Sequence, residues 1–155
     1  MDHFPTRQIV KIGIVVDNLE KAVEYYTELF GLEKPKPHPP APKAADGNKP
    51  YTVFRGQDGS AGCKAAVINL EPIYLELIEA MDGPSPWTEF KEKHGQGVQY
   101  IAFEANEGFD KVEKLMADRG MPIYHKTEKG KQRYGYFDTY EKLGITLEFK
   151  EIDKE

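Results

Sequence analysis

The chain has 155 residues, 39% of them hydrophobic and 30% charged, with a formal net charge of −5, so it is long enough for one domain or two small halves sharing a core. The negative balance, with Lys and Arg dispersed among Glu and Asp, argues against a nucleic-acid partner, and Cys63, the one cysteine, excludes an intrachain disulfide or a cysteine zinc site. No apolar run reaches the roughly 18 residues of a membrane span and no signal peptide opens the chain, so we expect a cytoplasmic protein with no membrane partner and a small-molecule ligand.

Residues 1–7 read as a short polar leader, frayed at the surface. Ile9 to Val16 is a β-branched run of strand length. Asp17 then serves as an N-cap, with Glu20 three residues on to complete a capping box. Leu19, Ala22, Val23, Tyr26 and Phe30 recur at helical spacing, and Gly31 supplies a left-handed C-cap. The stretch 33–50, EKPKPHPPAPKAADGNKP, holds six prolines in eighteen residues and reads as an extended surface loop, a tolerated insertion or a lid over a ligand. His38 within it reads as a solvated side chain rather than a ligand.

Three short strands follow, at 51–55, 64–70 and 73–80, separated by the turns QDGSAG and NLEP. Residues 81–96 read as a linker with a helical turn or two, pinned to the core by Trp87 and Phe90. A second strand, VQYIAFEA, and a second helix marked by Phe109, Val112, Leu115 and Met116 then end at Gly120. Strands at 122–126, 133–139 and 144–151 complete the chain.

The strand–helix unit occurs twice. Gly31 and Gly120 are 89 apart (120 − 31), as are Lys11 and Tyr100 (100 − 11), so one offset aligns both strand and helix stop. Glu76 and Glu148 are 72 apart (148 − 76), the difference falling mostly in the proline-rich loop. Side chains alternate along strands, so parity assigns faces. Ile12, Ile14, Val16, Leu75, Leu77, Ile101, Phe103, Ile145, Leu147 and Phe149 face the helices. Lys11, Glu76, Tyr100 and Glu148 fall together on the opposite face.

The segments KIGIVVDNLEKAVEYYTELFGLE, YLELIEA, GVQYIAFEA and RYGYFDTYEKLGITLEFKE resemble the vicinal oxygen chelate superfamily, in its glyoxalase and methylmalonyl-CoA epimerase-like branch, over about residues 8 to 151. The resemblance implies an α+β fold of paired βαβββ modules, 8–80 and 97–151, forming a concave sheet cup. It also implies a divalent metal held by one residue on each of four strands, two His and two Glu or Gln. Glu76 and Glu148 match the carboxylate ligands, but Lys11 and Tyr100 stand where the histidines belong. An ammonium and a phenol must each lose a proton before donating a lone pair. We therefore expect no cofactor and no metal; were one bound, Glu76 and Glu148 would hold it.

The resemblance implies a racemase or epimerase working by 1,1-proton transfer α to a carbonyl. Glu76 and Glu148 would be the acid–base pair, with Lys11 and Tyr100 stabilising the enolate. By parity Tyr74, Tyr100, Tyr134 and Tyr136 fall on or near the same face, so Tyr74, Tyr134, Tyr136, Thr146 and His125 would bind substrate, joined by Tyr51 and Phe54, with His125 also a spare acid–base candidate. The nearest branch implies a 2-acyl-CoA thioester; a dihydroisoflavone-type ketone, as for dihydrodaidzein racemases, suits the aromatic residues. The alternatives are a ligand-sequestering protein like those of bleomycin resistance, with Lys11, Glu76 and Glu148 a mere ion-pair network, and a metal-dependent lyase or dioxygenase. Exposed sheet edges lead us to expect a homodimer.

Overall fold

The repeat read from the sequence is present as two parallel strand pairs in one register. The structure, a computed structural model, describes residues 2–36, 51–129 and 132–152. Its elements in chain order are β1 (Lys11–Val15), α1 (Leu19–Phe30), β2 (Tyr51–Phe54), β3 (Gln57–Asp58), β4 (Cys63–Ile68), β5 (Tyr74–Ala80), α2 (Pro86–His94), β6 (Gly97–Ala105), α3 (Phe109–Asp118), β7 (Ile123–Lys129), β8 (Gln132–Phe137), α4 (Tyr140–Leu143) and β9 (Thr146–Glu151). Parallel β1 and β5 set Lys11 opposite Tyr74 and Gly13 opposite Glu76. Parallel β6 and β9 set Tyr100 opposite Thr146 and Ala102 opposite Glu148. The offsets of 89 and 72 carry the first set of pairs onto the second.

Two compact units result. The first comprises Lys11–Pro42 and Ser60–Gln99; the second comprises Met1–Val10, Lys43–Gly59 and Tyr100–Glu155. In the first, β5 lies between β1 and antiparallel β4. In the second the strand order is β3-β2-β7-β8-β9-β6. Each unit covers one sheet face with its helix, as parity required. Ile14, Val16, Leu75 and Leu77 pack with Leu19 and Val23 of α1. Phe103, Leu147 and Phe149 pack with Phe109, Val112 and Met116 of α3. Each fully buried side chain of this kind contributes roughly 1.5–3 kcal/mol.

Several details differ from expectation. The N-cap of α1 is Asn18, whose side chain accepts the Lys21 N–H at 3.0 Å; Asp17 lies outside the helix, facing Lys91 at 3.7 Å. Asn and Asp cap about equally well, so composition alone did not choose between neighbours. Gly31 takes the expected left-handed cap at φ 64°. The linker holds a nine-residue helix, α2, started by the Ser85 cap and Pro86, with Trp87 and Phe90 buried. The leader is anchored: Phe4 meets Phe103 and Phe149 edge-on at 5.2 and 5.6 Å.

The largest difference is β2, expected within the first module, 8–80. It instead pairs antiparallel with β7 of the second unit, Phe54 opposite His125, leaving the first unit β1, β4 and β5 among the described residues. The β2–β3 turn runs through Arg55 and Gly56 at φ 48° and 76°, and Arg55 is the described non-glycine residue in the left-handed region. His38 and most of the proline-rich stretch, with its lid reading, lie outside the described residues.

Candidate functional site

Alternation along β1, β4 and β5 places Lys11, Tyr74, Glu76 and Cys63 on the face of the first unit that α1 does not cover. Lys11 Nζ lies 3.6 Å from Glu76 Oε2, with the two side chains 9% and 22% exposed. A pair this enclosed feels a lower dielectric than water, though desolvation offsets much of its attraction. The Cys63 thiol is pushed up to about 12, first by burial and then by the Glu76 charge. Anionic character at Glu76 thus reaches β4. Tyr74 is half-buried on the same strand as Glu76, two residues away.

In the second unit, successive cross-strand partners set one row over four strands. Glu148 lies opposite Tyr136, Tyr136 opposite His125, and His125 opposite Phe54. Residues directly opposite share a face, so the row is a continuous surface. Its rings pack closely: Tyr100 on Tyr136 at 4.9 Å and His125 on Tyr136 at 5.2 Å. Tyr134 sits 5.7 Å from the His125 ring and presents its hydroxyl to Nε2 at 3.5 Å. Tyr100, Tyr136, His125, Thr146 and Glu148 are all buried. Burial among these rings pulls the His125 imidazole down to about 4, so it is neutral at pH 7. Tyr51 stays outside this row; its side chain is exposed and donates to Asp58 at 3.4 Å.

The donor set does not suit a divalent metal. Lys11, as an ammonium, offers no lone pair and already faces one Glu76 oxygen; Tyr100 offers a phenol. Among the described residues no group of three or more His, Cys, Asp and Glu side chains could hold a metal ion.

Sequence reasoning missed three neighbours of these groups. Cys63 joins Glu76 by alternation on β4, a parity signal present in the sequence. Tyr124 and Arg55 join the aromatic row: the Arg55 guanidinium lies 4.7 Å over the Tyr124 ring and 5.8 Å from that of Phe54. Their association depends on the β2–β7 pairing, which no local pattern announces. Among the described residues no helix is long and apolar enough to cross a membrane.

Residues 11–137 match the family described as Glyoxalase/Bleomycin resistance protein/Dioxygenase superfamily. Among solved structures, a hypothetical protein from Bacillus halodurans C-125 is similar, with TM-score 0.65, 17% identity and 96% of each chain covered. Methylmalonyl-CoA epimerase from Mycobacterium tuberculosis gives TM-score 0.64 and 17% identity, covering 99% of this chain and 95% of that one. A Streptomyces coelicolor methylmalonyl-CoA epimerase variant in complex with 2-nitronate-propionyl-CoA gives 0.60 and 20%, covering 93% and 96%. No curated protein sequence matches.

Proposed function

The chain belongs to the Glyoxalase/Bleomycin resistance protein/Dioxygenase superfamily, and we propose that it is a racemase or epimerase acting at a carbon α to a carbonyl. One observation carries the reading: Glu76 and Glu148 hold equivalent register positions, opposite Gly13 and Ala102, in the two repeated units. Inverting a stereocentre needs a base on one face and an acid on the other, and duplication of a carboxylate is an economical source of both.

One carboxylate removes the α-proton. The C–H electron pair becomes the enolate C=C bond, and the carbonyl π pair moves to oxygen. The second carboxyl, protonated, delivers its proton to the opposite face, so the two groups exchange protonation states and nothing else is consumed. The Lys11 ammonium and the Tyr100 hydroxyl donate to the enolate oxygen, supplying positive charge without a metal. Tyr74, Tyr134, Tyr136, Thr146 and His125 bind the rest of the substrate.

The epimerase neighbours point to a 2-acyl-CoA thioester. The aromatic row of the second unit favours a dihydroisoflavone-type ketone as the second candidate. The test is racemisation of each in D₂O, with deuterium uptake at the stereocentre read by NMR. Exchange of either substrate supports the reading. Saturable binding with no exchange overturns it in favour of ligand sequestration, the reading that the Lys11–Glu76 ion pair favours.

A further inference from the structure

The turn that joins β2 to β3 carries a side chain that the turn itself does not call for. Phe54 and Gln57 pair across it, so Arg55 and Gly56 are its two central residues, at φ 48° and 76°. Two-residue hairpins with both central residues at positive φ favour Asn-Gly or Gly-Gly, and an arginine there is strained. Arg55 is exposed, yet its guanidinium lies 4.7 Å over the Tyr124 ring and 5.8 Å from that of Phe54. Its backbone N–H donates to the Tyr124 carbonyl at 2.7 Å. The Tyr124 ring in turn meets those of Phe54 and Tyr136, each at 6.3 Å. A cation is thus fixed at the β2 end of the aromatic row. Lys126 and Arg133 lie on the opposite face, against α3, where carboxylates hold both.

We infer that Arg55 seats an anionic group of the substrate, a phosphate, sulfate or carboxylate remote from the reacting carbon. The row sets the distance. Glu148, Tyr136, His125 and Phe54 stand on the successive strands β9, β8, β7 and β2. Three strand spacings, about 14 Å, therefore separate the carboxylate from the edge that Arg55 covers. A substrate with its α-carbon at Glu148 lies along the rings and ends at the guanidinium. Stacking fixes a guanidinium by its face, whereas an anion is read by the donors on its edge, so the ring contacts orient the fork for a bidentate bond. In a chain of net charge −5, this cation supplies a local attraction that the overall field does not. The inference rests on the reading of Glu148 as one of the acid–base pair, and narrows the substrate class to anions.

Two matched pairs of probes test it. The first pair is the 2-methylbutanoyl thioesters of pantetheine and of 4′-phosphopantetheine, which differ by one phosphate; the second is dihydrodaidzein and its sulfate ester. By calorimetry, the anionic member of at least one pair should bind the wild-type chain about tenfold or more tightly than its neutral partner, and high salt should narrow the gap. Arg55→Asn, which gives the turn its favoured residue, should bring that ratio to about one, with the fold verified by circular dichroism. No anionic preference in either pair, or a preference that survives Arg55→Asn, would overturn the inference. Binding is read without turnover, so an Arg55-dependent preference with no deuterium exchange would refute the racemase reading and leave the anion site standing.

Discussion

Glu79 and Glu151 hold the two helices to their sheets in the same way. Glu79 Oε1 accepts the Leu19 N–H at 3.1 Å, and Glu151 Oε2 accepts the Phe109 N–H at 2.9 Å. Each is the first backbone donor of its helix. Each carboxylate is also met by a cation from the neighbouring strand: Lys64 at 3.7 Å from Glu79, and Arg133 at 3.0 Å from Glu151. The carboxylates are 72 apart (151 − 79) and the cations 69 apart (133 − 64), so the clamp is part of the duplication. A strand carboxylate thereby does work usually left to the residue before the helix.

The two clamps should differ in strength. Helix α1 also has Asn18 as a side-chain cap, whereas α3 begins at Gly108 with none. Arg133 is 24% exposed against 60% for Lys64, and it also binds Asp110 at 2.8 Å. We expect Glu79→Ala to cost about 0.5–1 kcal/mol and Glu151→Ala about 2 kcal/mol, the latter losing a sole side-chain cap and leaving the Arg133 guanidinium only Asp110 of its two carboxylates. Urea unfolding of both variants measures this. Equal losses would mean that Asn18 contributes nothing to α1.

His125 makes stability depend on pH. Its folded value of about 4 lies below the ordinary 6.5, so the unfolded chain binds the proton first as pH falls. The contribution is complete above 6.5 and is lost progressively between about 6.5 and 4, on the order of 3 kcal/mol in all. His125→Phe should flatten the unfolding free energy across that window while leaving the rest of the profile alone. An unchanged slope would place the titration elsewhere.

For the chemistry, Glu76→Gln and Glu148→Gln keep shape and hydrogen bonding but remove the proton acceptor. Each should lower racemisation by about 10²–10⁴-fold, the usual worth of a general acid–base step. Lys11→Met should cost about 10²–10³-fold by removing a donor to the enolate oxygen. Substrate binding, followed by calorimetry, should survive all three. Wild-type rates in both Gln variants would make the carboxylates structural.

Cys63 should be inert. With its thiol at about 12, the thiolate is scarce at pH 8, and thiol reagents should label native protein slowly and unfolded protein stoichiometrically. Glu76→Gln removes the second cause of that shift and should quicken labelling without reaching the unfolded rate. Fast labelling of the native wild type would show that burial does not protect the thiol.

Most of the fold was legible because the strand–helix unit is written twice, and two registers constrain each other more than either alone. Parity correctly put Ile14 and Leu77 against α1, with Lys11 and Glu76 on the other face. The partner of β2 was not legible: YTVF reads as a strand, but alternation says nothing about which edge it joins. The His125–Phe54 contact was hidden for that reason. The Glu79 and Glu151 clamps could have been read, since both carboxylates and both cations repeat at nearly constant offsets. What obscured them is that a helix start invites a search among its own preceding residues.

The departure of β2 to the second unit leaves β4 as the outermost strand of the first, with one row of backbone donors and acceptors unpaired among the described residues. Its sequence, CKAAVI, has no proline, and Lys64 is its only charge. Such a strand is a template for runaway β-stacking between molecules, and one ammonium pointing into solvent is the usual deterrent. Lys64 therefore guards colloidal behaviour as well as steadying Glu79. A Lys64→Val chain could fold with little loss and still form fibrils in the tube, because the defect would lie in what the edge invites and not in the fold behind it.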